Sequence, residues 1–421
     1  MSKIRVKKFG PINEGYIEDS GFLEIKKVTV FIGNQGTGKS TIAKLISTFK
    51  YLEKALNKGF VTLTNFKRGN IFKNKYCRYF RIDTYFREGT EIEFVGSLFH
   101  FSYSGQKLKV AKTGTEDSYI QPKIMYIPSE RNFLSIINRP EMLVGLPRPI
   151  YDFLDELYKA QQDIADTTEA INVPIGSLKY RYDKKKKVNY ISGPDFEIAL
   201  LDASSGIQSA LPLFLVSKHL QSAVNKEADN SINEISVEEK AQIRKYWLDI
   251  LGENKLGNEY IESFIQYTIS RNKSRTNKIF INIVEELEQN LFPDSQRAML
   301  YQLLEFNNDK VGNELILTTH SPYVINYLTV AIKAMEVSKI LGPVAPTELT
   351  EKLFSIVPEK SFVSFEDVAI YEASTDGSIH KLAFEYGIPS DNNYLNTSLG
   401  EFNKIFSELI EIEDQYENRL L

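Results

Sequence analysis

The chain has 421 residues, 42% hydrophobic and 25% charged, a length and balance that allow two or three globular domains with a sizeable core. Its 51 basic and 55 acidic residues leave a net charge of −4, which excludes a global positive field for DNA, RNA or a membrane surface and requires any such partner to meet a local patch. Cys77 is the single cysteine, so an intrachain disulfide and a Cys-rich zinc site are excluded; MSKIRVKKFGPI has no apolar signal core and no apolar run reaches about 18 residues, and the expectation is a cytoplasmic protein with no membrane segment.

In chain order, Ile4 to Phe9 alternates apolar and basic residues as a half-buried strand does, and Gly10-Pro11 breaks it. Phe22 to Val30 reads as a second strand. Val28 to Ile32 has the pattern of a buried strand, and apolar residues at helical spacing resume at Thr41 and continue through Leu52 and Leu56. Between them stand Gly33, four residues, then Gly38-Lys39-Ser40, the spacing of a phosphate loop in its strand-to-helix context. The candidate nucleotide-binding residues are Gly33, Asn34, Gln35, Gly36, Thr37, Gly38, Lys39, Ser40 and Thr41. The glycines let successive N–H groups point inward, Lys39 reaches the β- and γ-phosphates, Ser40 offers a hydroxyl to Mg²⁺, and the helix N-terminus adds partial positive charge.

Residues 71 to 110 are rich in Phe, Tyr, Ile and Val with short turns, which predicts a mostly antiparallel sheet. Phe66 to Arg81 interleaves basic and aromatic residues. Lys67, Arg68, Lys73, Lys75, Arg78 and Arg81 could contact nucleic-acid phosphates while the rings stack on bases, and a two-faced strand with its rings inward would give the same string. Lys123 to Pro128 is another apolar strand running into Ser129-Glu130-Arg131-Asn132, a place for groups that reach the nucleotide or a partner subunit; Arg131 reads equally as a surface residue. Residues 139 to 170 read as helices ending near Pro174 to Gly176, and Lys184 to Lys187 as a solvated hairpin tip.

Ser204 to Gln208 (SSGIQ) precedes an apolar helical run, so Ser205 and Gly206 lie at a helix N-terminus with free N–H donors. In a chain with a phosphate loop, such a second anion-binding terminus can complete the nucleotide site of another subunit. Residues 216 to 278 are more polar, with amphipathic stretches at Val237 to Leu251 and Tyr260 to Ile269, and read as a short helical insertion. Ile279 to Val284 is a buried strand ending in Glu285-Glu286, with Glu288 two residues on. Carboxylates there suit Mg²⁺ coordination and activation of an attacking water, although acidic residues also begin helices for dipole reasons. The strand Leu315 to Thr318 ends in Thr319-His320-Ser321-Pro322, where His320 suits a γ-phosphate sensor. Glu401 to Leu421 reads as an acidic amphipathic helix with Phe402, Ile405, Phe406, Leu409 and Ile410 on its apolar face.

The order GNQGTGKST, SSGIQ, IFINIVEELEQNLFP, TTHSPYV resembles the ABC-type, AAA-family ATPases related to SMC, RecF and the overcoming-lysogenization-defect proteins. The resemblance implies an α/β P-loop NTPase of ABC-ATPase type with an antiparallel β subdomain and a helical insertion. Residues 1–215 would carry Walker A, the β subdomain and the signature loop, 216–278 the insertion, and 279–421 Walker B, the switch histidine and the acidic C-terminal helix. It implies ATP and Mg²⁺ as cofactors, with Ser40 and Glu285 on the metal, Lys39, Glu286 and His320 as catalytic groups, and Ser205 and Gly206 contacting the nucleotide of a second chain, so that the protein is at least a dimer. Two departures stand out: relatives have Glu-Glu-Pro-Glu where this chain has Glu285-Glu286-Leu287-Glu288, and Ile207 replaces a glycine.

After His320 there is no Asp-x-Asp pair of the Toprim nuclease domain that overcoming-lysogenization-defect nucleases carry, so no nuclease is expected in this chain. It resembles instead the ATPase subunits of antiphage systems such as Septu and PARIS. That implies control of a separate effector protein, a nuclease or toxin encoded nearby, in antiviral defence. The alternatives are a RecF-like DNA-repair or DNA-binding ATPase and an ATP-gated scaffold with little turnover.

Overall fold

The N-terminal alternation becomes strand β1 (Ser2–Phe9) in the computed structural model, which describes residues 2–67, 70–116, 119–135, 145–165, 170–225 and 277–420. Ile4 and Val6 are buried while Arg5 and Lys7 are half-exposed, as period two requires. After the short β2 (Gly15–Tyr16), the single strand expected over Phe22 to Val30 is two strands in different sheets, β3 (Leu23–Ile25) and β4 (Val28–Gly33). The break has a local cause: the Thr29 hydroxyl accepts from Lys26 N (2.9 Å) and faces Lys26 O (3.2 Å), so a side chain takes up backbone groups that a continuing ladder would pair.

Helix α1 (Lys39–Asn57) follows the loop from Gly33 to Gly38. The antiparallel sheet expected from residue 71 begins only at Phe86, as β5 (Phe86–Val95), β6 (Phe99–Ser104) and β7 (Lys107–Lys112); Phe72–Cys77 is a π-helical turn instead. Phe72, Tyr76 and Phe80, four residues apart, all turn inward on that helical segment, while Lys75 and Arg78 point to solvent. Rings inside and cations outside were foreseen, on the wrong kind of element.

Next come β8 (Pro122–Ile127), α2 (Arg131–Ser135) and α3 (Arg148–Ala165), which is the helix expected between 139 and 170; residues 136–144 and 166–169 lie outside the described residues. Four strands, β9 (Ile171–Asn172), β10 (Lys179–Asp183), β11 (Val188–Ser192) and β12 (Glu197–Ala199), form a small antiparallel sheet, and Lys184 to Lys187 is its solvent-facing tip. Asp183 Oδ1 closes that tip by accepting from Lys185 N (2.9 Å) and Lys186 N (3.0 Å). Helix α4 (Ser205–Asn225) runs unbroken through residue 216, where an insertion was expected to begin, and the amphipathic stretches at 237–251 and 260–269 lie outside the described residues. The remainder is β13 (Ile279–Glu285), α5 (Pro293–Asn308), β14 (Glu314–Thr318), α6 (Pro322–Leu341), α7 (Thr347–Ile356), β15 (Val368–Ala373), β16 (Ser378–Lys381), the hairpin β17 (Phe384–Glu385) and β18 (Ile388–Pro389), and α8 (Tyr394–Leu420), which starts at Tyr394 rather than Glu401.

A seven-stranded sheet of order β2-β16-β15-β4-β14-β13-β8 organises these pieces, and β15, β4, β14, β13 and β8 are mutually parallel. Its central strands β4, β14, β13 and β15 are apolar on both faces because both are covered. Val28, Val30 and Ile32 of β4 pack with α3, α4, α5 and α6 on one side. Phe31 packs on the other side with α1 and the five-stranded antiparallel sheet β3-β1-β5-β6-β7. Register then sets the site: Thr318 lies opposite both Phe31 of β4 and Glu285 of β13, so the carboxyl ends of three strands open onto one edge. Among the described residues no helix is long and apolar enough to cross a membrane.

Candidate functional site

At the carboxyl end of β4 the backbone turns into α1 through positions that exclude a side chain. Gly33 has φ 129° and a Cβ there would lie 2.2 Å from Ala373 O; Gly38 has φ 105° and a Cβ would lie 2.9 Å from Ile12 Cγ1. Within the turn Thr37 Oγ1 donates to Asn34 O (2.9 Å), and Asn34 Oδ1 accepts from Gln35 N (2.7 Å). Lys39 opens α1 and is 4% exposed, so its ammonium is held by the loop itself, on Gly33 O (2.9 Å) and Asn34 O (2.6 Å). Burial pushes its pKa down to about 8, against the opposing pull of the Glu288 and Glu286 carboxylates.

His320 follows β14 and stands against that ammonium, with Nδ1 3.3 Å from Lys39 Nζ and Nε2 3.8 Å from Glu286 Oε1. Burial and the Lys39 charge both lower its pKa, leaving a neutral ring at neutral pH. Opposing that lowering are the Glu288 charge and a hydrogen bond of the ring to the Gly33 carbonyl, the same carbonyl that the Lys39 ammonium binds. Glu286 adopts φ 47°, a left-handed conformation that non-glycine residues rarely hold, and its backbone is pinned: its N donates to Thr318 Oγ1 (3.2 Å) and its O accepts from Arg131 Nη2 (2.6 Å). Burial first, then the Glu288 and Glu285 charges, raise its pKa. Glu288 is on the same turn; its Oε2 accepts from Thr319 Oγ1 (2.8 Å) and its Oε1 from His320 N (2.5 Å).

Glu285 ends β13 buried. Its Oε1 lies 3.7 Å from Lys44 Nζ, Ser129 N approaches Oε2 at 3.4 Å, and the buried Tyr126 hydroxyl interacts with the same carboxylate. A buried carboxylate with no close ammonium contact, at the same sheet edge as the half-buried hydroxyl residue Ser40 of α1's first turn, supplies the oxygen ligands that a hard cation such as Mg²⁺ takes. Among the described residues no cluster of three or more His, Cys, Asp or Glu would hold a metal by itself, so phosphate oxygens and water would have to complete any shell.

Arg131, open between surface residue and ligand-contacting group on sequence, is neither. It is 1% exposed, with Nη1 donating to Glu285 O (2.6 Å) and Pro128 O (3.3 Å), Nη2 to Glu286 O, and Nε to Ser209 O (3.3 Å). Burial lowers its pKa only to about 10, so it remains a cation. Its position directly after an apolar strand was the available signal; that its donors meet backbone carbonyls of two distant segments was not readable. Around this strut, Ser135 Oγ donates to Gln208 O (2.7 Å), and Gly206 packs so tightly on the loop after Glu288 that a Cβ would lie 2.7 Å from Asn290 O.

The structure therefore brings Lys39, Glu286 and His320 together. Ser205 and Gly206 stand at the start of α4, on the opposite face of the sheet from α1. In the basic stretch, Lys75, Arg78 and Arg81 are exposed and Lys73 is half-buried, but Phe66, Phe72, Tyr76 and Phe80 are all buried and none offers a face to a base. Arg68 lies outside the described residues.

No family model and no curated protein matches the chain. Solved structures that resemble it include an SMC head domain from Thermotoga maritima, at 10% identity and TM-score 0.32, covering 77% of this chain and 90% of that one. An SMC head bound to the C-winged helix domain of ScpA gives 10%, 0.33, 77% and 90%. A Pyrococcus furiosus SMC head with an extended coiled coil, bound to the C-terminal domain of ScpA, gives 9%, 0.36, 97% and 100%. At these TM-scores no property of those proteins passes to this chain.

The Arg131 strut makes a direct prediction. Arg131→Met leaves the carbonyls of Glu285, Glu286 and Ser209 without this donor and should lower unfolding free energy by about 3 kcal/mol or more in urea titrations. A loss below about 1 kcal/mol would show that the carbonyls find other donors and that the guanidinium holds nothing.

Proposed function

We propose that the chain is an ABC-type P-loop ATPase that binds MgATP at the carboxyl edge of β4, β14 and β13. The observation that carries this reading is the meeting of Lys39, His320 and Glu286, which follow the ends of three separate strands, with Nζ to Nδ1 at 3.3 Å and Nε2 to Oε1 at 3.8 Å. The loop amides from Asn34 to Ser40 and the Lys39 ammonium would hold the β- and γ-phosphates, exchanging loop carbonyls for phosphate oxygens. Ser40 and Glu285 would hold Mg²⁺, which supplies charge neutralisation on the phosphates when bound. Glu286 takes a proton from the attacking water, a task for which a raised carboxyl pKa is suited. His320 would hydrogen-bond the γ-phosphate through its ring. Glu286→Gln keeps the shape and removes the base, so it should bind ATP at wild-type affinity and hydrolyse it at least about a hundredfold more slowly. Turnover at the wild-type rate in a phosphate-release assay would eliminate Glu286 as the base.

Placement of α1 and α4 on opposite faces of one sheet supports a site shared between two chains. Ser205, exposed at the start of α4, and the N–H groups beside Gly206 would meet the γ-phosphate held at Lys39 of a second copy. ATP would then favour the closed dimer and hydrolysis release it. Mixed Lys39→Ala and Ser205→Arg chains, each inactive alone, should regain about one working site per heterodimer, because both lesions fall in the other site. Heterodimers that form and stay inactive would count against sharing.

The dimer would control a separate effector, a nuclease or toxin encoded nearby, in antiphage defence. Helix α8 supports this reading. Ile405, Leu409 and Ile412 are each more than half exposed, and Glu401, Glu408, Glu411 and Glu413 beside them are exposed too, a face suited to a partner with an apolar groove and a basic rim. The helix is rooted beside the nucleotide strand, with Tyr394 N donating to Glu372 Oε2 of β15 (3.0 Å) and Leu395 buried. Leu409→Glu with Ile412→Glu should keep ATP turnover and lose protection of cells that carry the chain with its neighbouring genes. Full protection by that variant would remove α8 from the reading, and no protection by the wild-type cluster would remove defence.

A further inference from the structure

We propose that Glu288 is a positioning residue that sets His320 in register with the Glu286 carboxylate. The inference rests on the hydrolytic reading above and adds a residue to which that reading assigns no task.

The geometry comes from one tight turn. Gln289 N donates to Glu286 O (3.1 Å) and Leu291 N to Glu288 O (2.8 Å), so residues 286 to 291 close on themselves. Leu287, fully buried, anchors the turn in the core between the two carboxylates. Across from it, the β14 strand leaves the sheet: Thr319 N makes the last ladder bond, to Phe31 O (3.0 Å), and the following amide, His320 N, is met by Glu288 Oε1 at 2.5 Å. The other oxygen takes the Thr319 hydroxyl at 2.8 Å, and that hydroxyl in turn accepts from Ser321 N at 3.0 Å. Both oxygens of one carboxylate are thus used on two successive residues of the switch loop. Any shift of the turn that moves Glu286 moves the His320 backbone with it, and the imidazole stays between Lys39 and Glu286 instead of drifting independently. Charge-assisted bonds of this kind are the strong ones, and a part-buried amide deprived of its acceptor loses an ionic partner that water replaces at a cost.

The test uses the full chain. Glu288→Ala should lower kcat for ATP about tenfold or more while KM moves less than about threefold, because the phosphate loop is untouched. Glu288→Gln should recover to within about threefold of wild type, since its amide oxygen still accepts from His320 N and the Thr319 hydroxyl can turn to accept from its nitrogen. In a His320→Ala background, Glu288→Ala should change kcat less than about twofold, because a residue acting through His320 has nothing left to position. Equal losses in the presence and absence of His320, or unchanged kcat in Glu288→Ala, would overturn the proposal.

A second readout does not need turnover. The chain has four histidines, so ¹⁵N-histidine labelling gives four backbone amide signals. The His320 amide should exchange with solvent at least about tenfold faster in Glu288→Ala than in wild type or Glu288→Gln. Equal protection in the alanine variant would sink the positioning role even if the wild type hydrolyses ATP. A protected amide in a wild type that neither binds nor hydrolyses ATP would keep the contact and sink the hydrolytic reading on which the role rests.

Discussion

β14 lies in register between β4 and β13, and the candidate site depends on that pairing. Thr318 faces Phe31 on one side and Glu285 on the other, which carries the Gly33–Lys39 loop, His320 and the two carboxylates to the same edge. A one-residue slip of β14 would turn its buried side chains to the other face and move His320 away from Lys39. Cover on both faces holds the pairing in place. Leu315 and Leu317 are anchored among the helices of one side and Ile316 against the α1 side, so slipping would put every one of them out of its pocket.

The charges at this edge are organised as a chain of partners of limited number. Glu285, Glu286 and Glu288 lie within four residues, and their mutual repulsion is opposed by two buried cations that are used differently. Arg131 spends its donors on the carbonyls of Glu285, Glu286, Pro128 and Ser209, which ties the start of α4 to the end of β13. Lys39 is hydrogen-bonded, among the described residues, to loop carbonyls and the His320 ring, contacts that an anion can displace. A guanidinium with its fork of donors suits the fixed role, and a compact ammonium on a flexible stem suits the exchangeable one. The left-handed backbone at Glu286 is compatible with this division: it is held by Thr318 and Arg131, groups on either side of the turn, and it aims the carboxylate away from the core into which Leu287 plugs.

The aromatic-basic stretch shows how far pattern alone can mislead. Period-two alternation and a helical face with rings every fourth residue coincide over short windows, so Phe72, Tyr76 and Phe80 satisfy both readings. What decides between them is the surface available for burial. The rings fill the space beside α1, with Phe72 stacked on Phe49 at 5.3 Å, and a segment that packs across a helix in this way does not continue a sheet edge. Because the rings are spent on the core, base stacking through Phe72, Tyr76 and Phe80 is removed from the RecF-like alternative, and only the exposed cations of that stretch remain for it.

Local signals determined much of this protein by themselves. Strand, glycine-rich loop and helix around Lys39, the helix start at Ser205, the strand ending in Glu285-Glu286 and the strand ending before His320 each depend on neighbours within a turn or two, where spacing and residue type carry the information. Tertiary structure alone decided which of these meet. It buried Arg131 as a strut, gave Glu288 its two donors on the loop at His320, and set α4 on the opposite face of the sheet from α1. The physical reason is that each of these outcomes is a contact between segments far apart in sequence. The energy of such a contact comes from burial and hydrogen-bond satisfaction, and neither leaves a periodic mark on the residues that make it.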